Sequence, residues 1–408
     1  MPPRLLTLAA GVLSLLLAAV PAPEEPLAYP GPPGPVDAAF FGMHIHRAAA
    51  GTAWPAVTFS EWRLWDAGVA WSQLEPARGK WNFELLDNYV RIAAQHHVNV
   101  LLTLGLTPAW ASTRPDEPSA YGNGNAAEPR TIADWDEYVR VLATRYRGRI
   151  REYEIWNEPN VKGTFTGSAD EMAQLSRAAY RVLKSVDPAI TVVSPAATAE
   201  QGVGWLDEFL QHGGCDSADV IGYHFYVTPQ PPEAMITLIR AVRNVLHRRG
   251  CDHKPLWNTE SGWAGPKRFS SDEEATAYVM RTYLLNWLLG VQRCYWYAWD
   301  NHNWSTLDLT TPSGEMTGPG AAYGVVRQWM LGATLQGCNR SASGLWTCRF
   351  HRASTTNMVL WSENHAQSFT IPPSWQAQTV SSWRGGSARP SATIRVGPAP
   401  VAVVASAL

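Results

Sequence analysis

Hydrophobic positions along this chain fall into two textures. From about residue 38 to 330, short continuous apolar runs alternate with longer stretches whose apolar residues recur at helical spacing. The runs are Phe40–His46, Trp62–Ala70, Val98–Leu104, Arg151–Asn157, Ile190–Ser194, Val220–Tyr226, Pro255–Glu260 and Arg293–Trp299. Helices are predicted between them, among them Ile132–Tyr146, Ala169–Ser185, Pro232–Arg248 and Asp272–Leu289. Their ends carry the expected punctuation: Ser271 before three acidic residues, Asp187-Pro188 after one helix and Gly250 after another. Strands without polar alternation are buried on both faces, as in a parallel sheet covered by helices. Eight strand-helix units predict an α/β fold, a (β/α)₈ TIM barrel at 38–332, and no glycine-rich phosphate loop follows any strand.

After Gly332 the period changes. Leu345–His351, Met358–Trp361, Ser368–Ile371, Gln378–Trp383 and Thr393–Val396 are short strand-like pieces set between Ser, Gly, Pro and Asn. They predict a small sandwich-like all-β domain at 333–408, with Pro398–Ser406 returning as its last strand. At the other end, Arg4, the apolar run Leu5–Val20 and Val20-Pro21-Ala22 read as an export signal over 1–22. A Pro-rich tether follows at 23–37. The expectation is a secreted or periplasmic protein; an uncleaved signal would instead anchor it to the inner membrane, facing the periplasm.

Composition narrows the picture. Lys plus Arg number 33 and Asp plus Glu 35, a net charge of −2, which supplies no basic field for nucleic acid. Five cysteines suit an oxidising compartment. Cys215 and Cys251 each precede a strand and so share one end of neighbouring strands. Cys338 and Cys348 suit a hairpin staple, and Cys294 is read as a buried free thiol. No zinc spacing occurs; neither metal nor cofactor is expected, and a monomer is assumed. Twenty tryptophans are either core filler or flat faces for ligands.

Chemistry in such a barrel gathers at strand C-termini. The fourth run ends E-I-W-N-E-P-N, placing Asn157 and Glu158 at the lip; the seventh ends with Glu260. His224 and Tyr226 lie two apart on the sixth, and His44 and His46 two apart on the first. A pair of carboxylates facing each other across a barrel mouth suits glycoside hydrolysis, one as acid and one at the anomeric carbon. A hydrogen bond from Tyr226 would keep Glu260 ionised as nucleophile, while Glu158 would hold its proton as acid and then act as base. Trp71, Trp110, Trp263, Trp299 and Trp304 follow strand ends, where indoles could stack on sugar faces. The plainer readings are an N-cap for N-E-P, a structural Glu260–Arg63 pair, interior histidines, and Glu154 as an ion-pair partner.

W-N-E-P after strand four, H-F-Y on strand six, Glu ending strand seven and Trp ending strand eight resemble glycoside hydrolase clan A. R-L-W-D-A-G-V-A-W-S-Q-L-E-P, from Arg63, resembles its family 39 and related bacterial polysaccharide hydrolases. That resemblance implies Glu158 as acid/base and Glu260 as nucleophile of a retaining double displacement. It further implies Asn157 on a sugar hydroxyl, Tyr226 on the nucleophile, His224 lining the subsite, Trp299 as its floor and Arg63 leaning towards the nucleophile. Several tryptophans around one mouth favour an endo-acting enzyme on a poly- or oligosaccharide. The competitors are an exo-acting β-xylosidase-like enzyme and a silent carbohydrate-binding barrel.

Overall fold

The computed structural model describes residues 31, 34–265, 269–303, 305 and 307–406. The signal, most of the tether and Trp304 lie outside the described residues.

Nine parallel strands are interspersed with helices, none of which lies between β1 and β2 or between β5 and β6: β1 Phe41–Met43, β2 Glu61–Leu64, β3 Asn99–Thr103, β4 Glu152–Glu154, β5 Thr191–Val193, β6 Ala197–Thr198, β7 Ile221–His224, β8 Leu256–Gly262 and β9 Arg293–Tyr297. Their order is β5-β4-β3-β2-β1-β9-β8-β7-β6. The sheet curls until a parallel bridge joins Val193 at the end of β5 to Val220 just before β7, closing an eight-strand ring with β6 as a short extra rung. The helices are α1 Trp71–Leu74, α2 Glu84–Gln95, α3 Ile132–Arg145, α4 Ala169–Val186, α5 Gly202–Gln211, α6 Ala234–Arg248, α7 Asp272–Leu288 and α8 Gly318–Met330. Side chains cap them as their sequences demand. Ser168 and Glu171 form a reciprocal capping box on α4, and the Ser271 hydroxyl accepts from Glu274 N at 3.2 Å on α7.

One expected boundary shifts far, and one short strand is new. The second run was expected to continue as strand to Ala70, but β2 stops at Leu64 because Asp66 (φ 54°) and Gly68 (φ 71°) are left-handed and turn the chain out of the sheet. The β6 rung was not foreseen, since two residues carry no readable period.

Inside the ring the side chains stack in layers. Arg293 sits at the bottom, 2.6 Å from Glu152 and 3.0 Å from Glu61, with its guanidinium 3.8 Å from the Trp257 ring. Above it lies an apolar layer of Leu101, Val193, Val220, Trp257 and Tyr295. Gly42 makes room there, because a Cβ on it would stand 2.4 Å from the Tyr295 ring. A third, polar layer at the strand C-termini contains Arg63, Thr103 and Glu154.

The C-terminal strands are β10 Thr334–Arg340, β11 Leu345–Arg352, β12 Thr355–Ser362, β13 Gln367–Thr370, β14 Ala377–Ser382, β15 Ser387–Ala388, β16 Thr393–Val396 and β17 Val401–Ser406. Six form an antiparallel sheet, β10-β11-β12-β17-β14-β15, and β13 pairs with β16 in a second. Met358, Leu360, Ile371, Val396 and Val403 form an apolar cluster between them. The closing stretch is an inner strand, β17, between β12 and β14. This domain covers α7, which is buried on every side from Ala275 onward; a helix so enclosed has lost its polar face. Trp361 Nε1 donates to Glu233 at 2.9 Å, and Asn357 donates to the Trp329 carbonyl at 3.2 Å, tying sheet to barrel. Cys215–Cys251 and Cys338–Cys348 are disulfides with Cα separations of 5.9 and 4.0 Å, while Cys294 is free and buried.

Candidate active site

The site begins with one arginine. Arg63, on β2, has no exposed surface. Its Nε and Nη2 donate to Glu154 at 2.8 and 2.5 Å, its Nη1 to Glu260 at 2.8 Å, and its Nη2 also to Asn157 at 2.7 Å. Charge-assisted bonds of this kind fix geometry as well as charge. Glu154 is therefore an ion-pair partner, held further by the Thr103 hydroxyl at 2.8 Å.

Glu158 lies past the end of β4 with φ 44°. A left-handed glutamate is strained by roughly 1–3 kcal/mol and persists only where its surroundings over-determine it. Here its N–H donates to the Ala196 carbonyl at 2.9 Å and its carbonyl accepts from Thr164 at 2.5 Å. The side chain, 18% exposed, places Oε1 at 2.9 Å from His224 Nδ1. Glu260, near the end of β8, accepts from Tyr226 at 3.0 Å and from Arg63. One atom each of Glu158, His224 and Glu260 lie within 4.8 Å of one another.

Burial raises Glu158 to about 7, with a Thr198 hydrogen bond and Arg63 opposing the rise. Burial also raises Glu260 to about 7, and again Arg63 opposes it. Two carboxyls this close share a proton. The guanidinium and the tyrosine hydroxyl both touch Glu260, which favours the ionised form there and the proton on Glu158. Burial lowers His224 to about 4, leaving it neutral near pH 7. His44 is held well below the ordinary histidine value by burial, with Arg63 adding to the effect. Its Nε2 sits 3.2 Å from the Thr259 carbonyl, which can only accept, so Nδ1 is a bare acceptor. His44 Nδ1, His46 Nε2 and His224 Nε2 are buried without partners among the described residues. Glu158, His224 and Glu260 are close enough to hold a cation, but the fixed charge of Arg63 on Glu260 opposes one.

The tryptophans divide differently from expectation. Trp71 is 0% exposed, stacked on Tyr138 at 4.7 Å, and has no face to offer a ligand. Trp110 is half-buried, with the Arg78 guanidinium 4.5 Å above its ring. Trp263 packs against Phe269 and Tyr278, and Trp299 is buried in the apolar cluster. From β9 the aromatic ring that reaches the mouth is Tyr297, 5.1 Å from His44 and 4.9 Å from His46. It continues the inward alternation of Tyr295, a signal that period-two counting contains. Gly262 lets β8 pass this close, since a Cβ there would be 2.1 Å from the Tyr297 carbonyl oxygen. Asp66 was also missed: it accepts from Tyr297 at 2.7 Å and Tyr121 at 2.8 Å, and only the turn after Leu64 brings it to the mouth.

A closed parallel barrel carries two glutamates at its C-terminal mouth, and known proteins share this scaffold. Residues 152–323 match the glycosyl hydrolase catalytic core family, and 62–152 match a family described as beta-galactosidase. A β-xylosidase of Caldicellulosiruptor saccharolyticus is 30% identical over 146 residues, which are 32% of this chain and 30% of that protein. One of Geobacillus stearothermophilus is 24% identical over 208 residues, 44% and 40% of the two chains. The chain thus aligns with well under half the length of these curated relatives. In fold it is similar to a family 39 glycoside hydrolase from Bacteroides cellulosilyticus, with TM-score 0.69 and 21% identity over 85% of this chain and 75% of that one. It is also similar to a family 39 β-xylosidase from Caulobacter crescentus, with TM-score 0.66 and 17% identity over 92% and 97%. Residues 152–323 thus match a glycosyl hydrolase catalytic core, and the fold is that of family 39 glycoside hydrolases.

Proposed function

We propose that this protein cleaves glycosidic bonds with retention of configuration, Glu260 attacking the anomeric carbon and Glu158 serving as acid and then base. One observation carries the reading: oxygens of the two glutamates lie within 4.8 Å, and of this pair only Glu260 accepts a hydrogen bond from Arg63. Retention uses carboxyls about 5–5.5 Å apart, whereas inversion needs roughly 6.5–9.5 Å to admit water. Arg63 and Tyr226 stabilise the nucleophile's charge, His224 adjoins the acid, and Asn157 is held by Arg63 towards the sugar hydroxyl beside the reacting carbon. An activated fluoro-sugar should label Glu260; a label on any other residue sinks this assignment.

The substrate is a poly- or oligosaccharide cut internally. Exo-action on xylosides is the second reading, favoured by two β-xylosidase relatives. Product lengths from xylan and other β-glycans separate the two, since single sugars alone as early products would establish exo-action. Export to an oxidising compartment is supported by the two disulfides.

A further inference from the structure

At the same end of the barrel as the glutamates, a cavity of about 220 Å³ opens at the ends of β2 and β3, walled by Trp65, Asp66, Ala70, Gln73, Leu106 and Tyr121. Asp66 is exposed, yet its carboxylate is held rigidly. Tyr121 donates to Oδ1 at 2.8 Å and Tyr297 to Oδ2 at 2.7 Å. Each hydroxyl is itself anchored: Trp65 Nε1 donates to Tyr121 at 3.0 Å and Asn301 Nδ2 to Tyr297 at 3.0 Å. A carboxylate oxygen can accept more than one hydrogen bond, so both oxygens keep capacity for a ligand. The chain around it is committed, with Asp66 left-handed at φ 54°.

We propose that this cavity is a second saccharide subsite, in which Asp66 accepts two neighbouring hydroxyls of an uncharged or amino sugar and excludes a uronic acid. It rests on the saccharide reading of the adjoining glutamates and names the chemical class of the unit next to the cleaved residue. The volume suits a single sugar ring, and Trp65 and Tyr121 supply aromatic walls. The tyrosine between Asp66 and the histidines connects this subsite to the reaction centre, so a sugar on Asp66 lies along the path to Glu260. A uronate carboxylate in the same cavity would face Asp66 with like charge, an exclusion built by repulsion.

The test is calorimetric binding of xylobiose, cellobiose, a glucosamine disaccharide and digalacturonate to the full chain carrying Glu158→Gln. At least one neutral or amino disaccharide should bind, and adding Asp66→Ala should weaken it at least tenfold. Digalacturonate should bind at least tenfold more weakly than the best of these, and Asp66→Asn, which keeps the side chain's size, should narrow that gap at least threefold. Circular dichroism and the melting temperature of each variant distinguish a lost subsite from a lost fold. Absence of binding by every disaccharide, an affinity indifferent to Asp66, or digalacturonate binding as well as neutral sugars overturns the proposal. Failure of the hydrolase reading would show separately, as unchanged turnover in Glu158→Gln or Glu260→Gln.

Discussion

Arg63 donates to Glu154, Asn157 and Glu260 at once from a fully buried position. Removing one member of a buried ionic cluster leaves the others unpaired, at a cost of about 3–5 kcal/mol. Arg63→Ala should therefore both lower the denaturation midpoint and abolish hydrolysis, whereas Arg63→Lys, with one nitrogen for three partners, should restore stability more than activity. Glu158→Gln and Glu260→Gln should each lower kcat by at least a thousandfold while leaving saccharide binding; a variant with unchanged turnover removes that residue from the mechanism. The protonation pattern sets a pH profile. The proposed mechanism requires Glu158 protonated and Glu260 ionised, and Glu158 is raised to about 7, so kcat/KM should fall as pH rises through 7. In the Glu158→Gln variant, assayed on a substrate with an activated leaving group, that alkaline limb should vanish.

At the scale of elements, the lower barrel layer makes a stability prediction. Burial, reinforced by the charge of Glu152, raises Glu61 to about 8 from an ordinary 4.5, with Arg293 and Asn99 opposing the rise. An acid raised in the folded state favours folding while it stays protonated, and that contribution is lost as pH climbs from its unfolded to its folded value. Glu61→Gln should thus flatten the decline in stability between about pH 4.5 and 8, as urea midpoints across that range would show. An equally steep decline in the variant would place the proton elsewhere. The strands bearing these groups were readable as continuous apolar runs, and strand ends pointed to Glu158 and Glu260. Asp66 and Tyr297 were not found. β2 was extended through a turn that only left-handed residues could reveal, and the last aromatic of the β9 run was favoured over the one that alternates inward.

Across the whole molecule, the barrel and β-domain act as one packing unit at α7. Truncation before β10 would uncover a helix buried on all sides, so a chain ending at 332 should be insoluble or aggregate where the full chain does not. The Cys215–Cys251 bridge closes a span of 36 residues, worth about 3–4 kcal/mol by loop entropy. Cys215→Ser with Cys251→Ser should lower the melting temperature without moving the pH profile, because neither cysteine touches the mouth.

The amino-acid sequence by itself determined the alternation of strand and helix, the change of period after Gly332, and which strand ends carry carboxylates. These follow from local periodicity and from the rule that parallel-barrel chemistry sits at strand C-termini. Tertiary structure decided which groups meet. Arg63 joins Glu154, Asn157 and Glu260 from three strands, Tyr297 rather than Trp299 reaches the histidines, and Asp66 turns into the mouth. Ring closure sets those distances and burial sets those proton affinities, and neither is a property of residues adjacent in the chain.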